Sequence, residues 1–165
     1  MNDILDKVEL PAGYCIREAL DVDVPAVIML LSPFVERRQI MRRTEAETAA
    51  LIPTGYSILF QEKLVGFAAV EIYSKKLSEI QCLAVADDHR GLGLGRELVR
   101  CCIALAQLKG VMEVMAISSS EKFLQDLGFD YSLPNQKRAL FYQLRSREEV
   151  YRELEESDDS TSLDS

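Results

Sequence analysis

The chain has 165 residues, 48 % of them hydrophobic, with four cysteines, one histidine, no tryptophan and a formal charge of −8. That is enough for one domain with its own core, whereas no apolar run approaches the ~20 residues a membrane-spanning helix needs; the acidic start, Met1 to Asp6, does not read as a signal peptide, and an acidic chain has no general attraction for nucleic acid. With His89 as sole histidine and no CxxC spacing among Cys15, Cys82, Cys101 and Cys102, neither a metal site nor a Ser-His-Asp triad is expected, and the thiols read as free and largely buried, which points to a reducing, cytoplasmic setting.

Residues 1–13 read as an N-terminal extension. Cys15 to Leu20 predicts a strand. Asp23, Pro25 and the spacing of Val27, Ile28, Leu30 and Leu31 predict a helix opening on an aspartate cap. Arg37, Arg38, Arg42 and Arg43 follow as a basic cluster suited to small anions, and Thr44-Glu45-Ala46-Glu47 is a capping-box pattern for a second helix ending near Pro53. Tyr56 to Phe60 and Leu64 to Tyr73, joined by Gln61-Glu62-Lys63, predict a β-hairpin. Ser78 to Ala86 reads as an apolar strand, 87–95 as a turn, and 96–109 as an amphipathic helix closed by Gly110. Val111 to Ile117 reads as a strand, Ser120 to Leu127 as a short helix stopped by Gly128, and Ala139 to Leu144 as a last strand. A second basic cluster, Lys137, Arg138, Arg145 and Arg147, surrounds that strand. Residues 148–165 hold eight acids and one base against 19 and 18 before them, so the acidity belongs to a tail. Glu148 to Glu156 can extend as a solvated helix; the rest is expected to be disordered. Over 14–147 the order of elements implies an α/β layered domain with a mixed sheet.

The sharpest local feature is Arg90-Gly91-Leu92-Gly93-Leu94-Gly95-Arg96, between a buried-type strand and an amphipathic helix. Alternate glycines let a backbone fold tightly and approach a ligand with no Cβ in the way. Amides then converge where a helix begins, and its partial positive charge favours a phosphate. The spacing is neither a P-loop, which needs Gly-Lys-Ser/Thr, nor an early GxGxxG dinucleotide turn.

Taken with the preceding Ser78-Glu79-Ile80-Gln81-Cys82-Leu83-Ala84-Val85, this loop resembles the acyl-CoA-binding motif of the GNAT N-acetyltransferases. Phe123-Leu124-Gln125-Asp126-Leu127-Gly128-Phe129 resembles that family's closing helix and Gly-Phe turn. The resemblance implies the GNAT fold, a mixed and mostly antiparallel sheet flanked by helices. It implies acetyl-CoA as co-substrate and no metal. Leu83, Ala84 and Val85 would meet the pantetheine arm, and Arg90, Gly91, Leu92, Gly93, Leu94, Gly95 and Arg96 the pyrophosphate, with Phe123 beside the cofactor. Homodimers are common in the family, and an exposed sheet edge could pair two subunits.

Two further segments, Ile40-Met41-Arg42-Arg43-Thr44 and Leu133-Pro134 with Lys137 to Phe141 and Arg145, are similar to N-acetylglutamate synthases. That similarity implies a short stand-alone form without a kinase domain, acting in arginine biosynthesis, with Arg42 or Arg43 and Arg145 holding the carboxylates of glutamate. Guanidinium groups suit that task because they meet a carboxylate with two hydrogen bonds. Glu79 is the expected general base. The tyrosine that many members place four residues before the closing glycine is Leu124 here, so Ser118, or Ser119 through water, is the expected proton source for the departing thiolate. Two other readings stand beside this one. One is transfer to another small amine or a protein N-terminus; the other is a non-catalytic acyl-CoA sensor, or a module that docks a partner through its tail.

Overall fold

Period-two alternation and short turns build the sheet. In this computed structural model, which describes residues 4–118, 120–131, 143–146, 148–150 and 152–153, five strands lie side by side in chain order: β1 Tyr14–Glu18, β2 Gly55–Phe60, β3 Lys63–Ile72, β4 Leu77–Val85 and β5 Glu113–Ala116. Strands β1 to β4 are antiparallel and β5 runs parallel to β4, the mixed and mostly antiparallel sheet of the GNAT fold. The hairpin between β2 and β3 is one residue tighter than expected, because Lys63 already pairs with Phe60. Gln61 and Glu62 both take positive φ, 48° and 67°, the backbone pattern that lets a two-residue loop follow the strand twist.

Helices cover both faces. On one side α1 Val24–Glu36 and α2 Glu45–Leu51 bring Val27, Leu30, Leu31, Phe34 and Leu51 onto Phe67, Ala69, Cys82 and Ala84. On the other, α3 Leu94–Leu108 packs on β2, β3 and β4, its fully buried Leu98, Val99 and Cys102 facing a sheet that buries Ile58, Ala68 and Val70. The two adjacent thiols in α3 are held protonated by burial, Cys101 being pushed up to about 12; all four cysteines are free. Thr44 caps α2 as its sequence predicts, with the Glu47 amide donating to the Thr44 hydroxyl and the Thr44 amide to the Glu47 carboxylate.

The expected cap of α1 turns out to do something else. Asp23 stands at the N-cap, yet its carboxylate makes no bond to the helix. It accepts two hydrogen bonds from Arg17, at 2.6 and 2.8 Å, one from the Leu20 amide at 2.9 Å and one from the buried Ser57 hydroxyl at 3.0 Å. A bidentate guanidinium outcompetes a helix amide for a carboxylate, so Asp23 ties β1, β2 and the start of α1 together.

Residues 1–119 and 120–165 form two compact units. In the second, α4 Glu121–Gln125 is closed by Gly128 at φ 93°, whose amide donates to the Gln125 carbonyl at 2.9 Å. Ser146 and Glu149 exchange amide-to-side-chain bonds at 3.0 and 3.2 Å, a capping box that opens the helical residues 148–150 and 152–153 at the front of the acidic tail. Most of the expected last strand, residues 139–142, lies outside the described residues, as do Leu133, Pro134, Lys137, Arg138, Arg147 and 154–165; Gln143 and Leu144 are not in a strand.

Asp23 supplies a stability test. The hydrogen bonds from Arg17, with those from Leu20 and Ser57, hold its carboxyl below the ordinary carboxylate range. A group whose folded value is depressed stabilises above its unfolded value and loses that contribution as pH falls through the folded one. Asp23→Asn should therefore cost about 2–3 kcal/mol in urea unfolding at pH 7, and the gap to the parent should close as pH drops below the carboxylate range. A gap that stays constant to pH 3 would show that the ionised pair adds nothing.

Candidate active site

The strand β4 changes partners along its length. Its register with β5 runs from Leu77 opposite Glu113 to Ile80 opposite Ala116 and ends there. On the other side β3 stays with it to Val85, but the pairing slips: Ala69 faces Gln81, whereas Phe67 faces Ala84. Two residues of β4, Cys82 and Leu83, therefore oppose Ala68, and Cys82 takes φ 56°. This is a β-bulge with a left-handed residue, a position that favours glycine. Plain alternation would put Glu79, Gln81 and Leu83 on one face, and the bulge changes that. Glu79 and Gln81 do, but past the inserted residue that face belongs to Ala84. The stretch from Gln81 to Val85 is thus hydrogen-bonded to β3 alone among the five strands.

The glycine loop follows. Asp87–His89 form a single 3-10 turn, pinned from two sides. His89 Nδ1 meets the Tyr14 hydroxyl at 2.7 Å beside the Phe60 ring. Asp87 takes Arg37 at 2.8 Å and Arg90 at 2.9 Å, and both guanidinium groups lie over the Phe34 ring at 4.9 and 5.3 Å. Arg90 thus braces the loop through Asp87 in this structure, where the resemblance assigned it to pyrophosphate. Gly91 and Gly93 take φ 77° and 80°, with open space where a Cβ would stand. Gly93 is the N-cap of α3 and supplies no side-chain acceptor. The first-turn amides of Leu94, Gly95 and Arg96, which have no acceptor in an α-helix, therefore face outward behind an exposed glycine turn, with Arg96 half-buried among them and Leu92 exposed beside them. Such an arrangement holds an anion by backbone dipoles.

On the α1/α2 face of the sheet stands a row of polar side chains. Glu79 is half-buried on β4 and pairs in register with Glu71 on β3. Tyr73 donates its hydroxyl to Glu79 Oε2 at 2.6 Å, with Glu71 Oε2 at 3.3 Å. Gln81 Nε2 donates to Tyr73 Oη at 3.2 Å. Arg43, from the loop before α2, donates to the Gln81 carbonyl oxygen and, at 3.2 Å, to Cys82 Sγ. Burial first, then the bond to Glu79, pushes the Tyr73 phenol up to about 12; burial likewise raises the Cys82 thiol, against the pull of Arg43.

The structure thus brings Glu79 and Arg43 to one face of the sheet, linked by Gln81 and Tyr73. Arg42 is half-buried next to Arg43. Ser118 is exposed two residues beyond the last β4–β5 pair; Ser119 lies outside the described residues. Phe123, half-buried on α4, and Arg145, ion-paired with Glu153, belong to the second unit. Sequence reasoning missed Tyr73 and Glu71. The signal was present: the turn after Tyr73 sets the register that puts Glu71 opposite Glu79, and alternation then puts Tyr73 on their face. Among the described residues no group of three His, Cys, Asp or Glu side chains could hold a metal ion, and no helix is long and apolar enough to cross a membrane.

Comparison with known proteins agrees with this geometry. Residues 27–129 match the acetyltransferase (GNAT) family. An uncharacterised N-acetyltransferase of Chlorobaculum tepidum is 26 % identical over 118 residues, covering 72 % of this chain and 76 % of that one. An amino-acid acetyltransferase of Pasteurella multocida is 27 % identical over 140 residues, 80 % of this chain and 32 % of its own length, so the chain spans about a third of that longer relative. In fold it is similar to N-acetylglutamate synthase from Neisseria gonorrhoeae complexed with coenzyme A and N-acetyl-glutamate, with a TM-score of 0.67 and 24 % identity over 87 % of this chain and 33 % of that one. A strand freed beyond Ile80, an uncapped glycine turn after it and a family match spanning both lead to one conclusion: the chain belongs to the GNAT acetyltransferase family and is an acetyl-CoA-dependent N-acetyltransferase.

Proposed function

We propose that the chain acetylates the α-amino group of an anionic amino acid, L-glutamate first among them. The observation that carries this reading is the placement of Arg43, a guanidinium at the sheet face that also bears Glu79. A cationic amine such as a polyamine would meet repulsion there, whereas a carboxylate would find a two-pronged donor. The amino-acid acetyltransferases among its relatives favour the same class of acceptor. Arg42 is a further carboxylate donor in this reading.

The donor enters along the freed edge of β4. Backbone groups from Leu83 to Val85 take the amides of the pantetheine arm, and the amides from Gly91 to Arg96 take the pyrophosphate. The thioester carbonyl then comes to the bulge, where an amide freed from strand pairing can stabilise the oxyanion. Glu79 removes a proton from the ammonium, directly or through water, since only the neutral amine attacks. The nitrogen–carbon bond forms, the carbon–sulfur bond breaks, and the departing thiolate takes a proton from Ser118 or from solvent. Free thiols buried in the fold suit a reducing setting, and the reading places the chain in the cytoplasm, at the acetylation of glutamate for arginine biosynthesis.

Three measurements examine this reading. CoA release from acetyl-CoA should depend on glutamate in a panel of amino acids and polyamines; Arg43→Lys should raise the KM for glutamate by about tenfold or more, and release strongest with a polyamine would defeat the assignment. Glu79→Gln should lower kcat near pH 7 by about a hundredfold or more; a change within twofold would remove Glu79 as base. Gly93→Ala meets no neighbour but forces an L side chain to φ 80°, a strain of about 1–2 kcal/mol. Its KM for acetyl-CoA should rise roughly five- to thirtyfold with the acceptor KM unchanged, and CoA should protect amides 91–96 from hydrogen exchange in the parent.

A further inference from the structure

The donor edge and the base leave unexplained why the side chains between Arg43 and Glu79 form an unbroken line. Their directions are fixed by chemistry. A guanidinium has donors only, so Gln81 must turn its carbonyl oxygen to Arg43. The other end of the amide, Nε2, is then left to donate to Tyr73 Oη, which it does at 3.2 Å. With a lone pair so engaged, the phenol has one proton to give, and the nearer acceptor is Glu79 Oε2 at 2.6 Å rather than Glu71 Oε2 at 3.3 Å. Two carboxylates stand opposite each other across adjacent strands, an arrangement that costs free energy unless something lies between them. The Tyr73 hydroxyl does.

We propose that Tyr73 is a positioning residue for acetyl transfer: its hydroxyl, aimed from Arg43 through Gln81, fixes in place the Glu79 carboxylate that accepts the amine proton. The proposal rests on Glu79 being the base. The groups facing Glu79 are Glu71 from β3, Tyr73 just past the end of that strand and, through Gln81, Arg43 from the loop before α2; β5 places uncharged Met115 opposite it, and α3 covers the other face of the sheet. Tyr73 and Glu71 act in opposite senses. A hydrogen bond donated to a carboxylate favours its charge, and a neighbouring negative charge disfavours it.

The two neighbours therefore give a test of sign. In the full chain, kcat/KM is followed against pH with the best acceptor of the panel. In Tyr73→Phe the acid limb of the rate profile should move up by about one pH unit; in Glu71→Gln it should move down. Tyr73 is half exposed and its ring is retained, so the fold is not at risk. An acid limb in Tyr73→Phe that moves by less than about 0.2, or downward, would overturn the proposal. The two layers fail separately. If Glu79→Gln abolishes turnover while Tyr73→Phe leaves the profile in place, the role of Tyr73 falls alone. If Glu79→Gln keeps full turnover, the base assignment falls and takes this proposal with it.

Discussion

Among the described residues, the backbone of β4 has two neighbours as far as Ile80 and one beyond it. That asymmetry is the constraint on which the rest is built. Buried peptide groups need hydrogen-bond partners, and a strand that loses a neighbour inside the fold keeps a row of them in reserve. The loss is a direct product of the short β5, which ends at Ala116. The bulge at Cys82 adds to it by breaking the register with β3 on the other side. An extended acyl-donor arm, itself rich in amides, is the kind of partner such an edge accepts.

Charge is arranged around that edge with a division of labour. The loop before α3 is braced by opposite charges at its base: Arg37 and Arg90 converge on Asp87, whose carboxyl the Arg37 contact holds below its ordinary range. The part that meets the donor relies on amides and a helix dipole, which need no side chain to be held in place. The acceptor face works the other way, with every polar atom supplied by a side chain and each fixed by the next.

Much of this was legible in the sequence. The capping box at Thr44 and the glycine stops at Gly110 and Gly128 follow from local chemistry and appear where expected, and the hairpin does so with a turn one residue shorter. The glycine turn before α3 was legible for the same reason: open φ and helix amides are properties of a few consecutive residues. What alternation could not deliver was the bulge, because a left-handed cysteine leaves no mark in a hydrophobic pattern. Plain alternation therefore puts Leu83 on the wrong face. Asp23 was read as a helix cap because its sequence neighbours fit one, yet the partner that claims it, Arg17, lies on another element. Tyr73 escaped notice because its importance depends on what stands across the strand pair rather than beside it in the chain.

The extra residue at Cys82 also bears on how the chain can vary. A strand has a period of two, so Gln81 and Ala84, with two residues between them, share a face only because the bulge takes up one of the two. Loss of either Cys82 or Leu83 would restore plain alternation with Ala84 still on the α1/α2 face; what it would remove is the bulge and its left-handed residue. A one-residue change elsewhere in β4 has no such slack and exchanges inside for outside from there to the glycine turn. Residues 82 and 83 are therefore the place where this strand can change length without turning its core face outward.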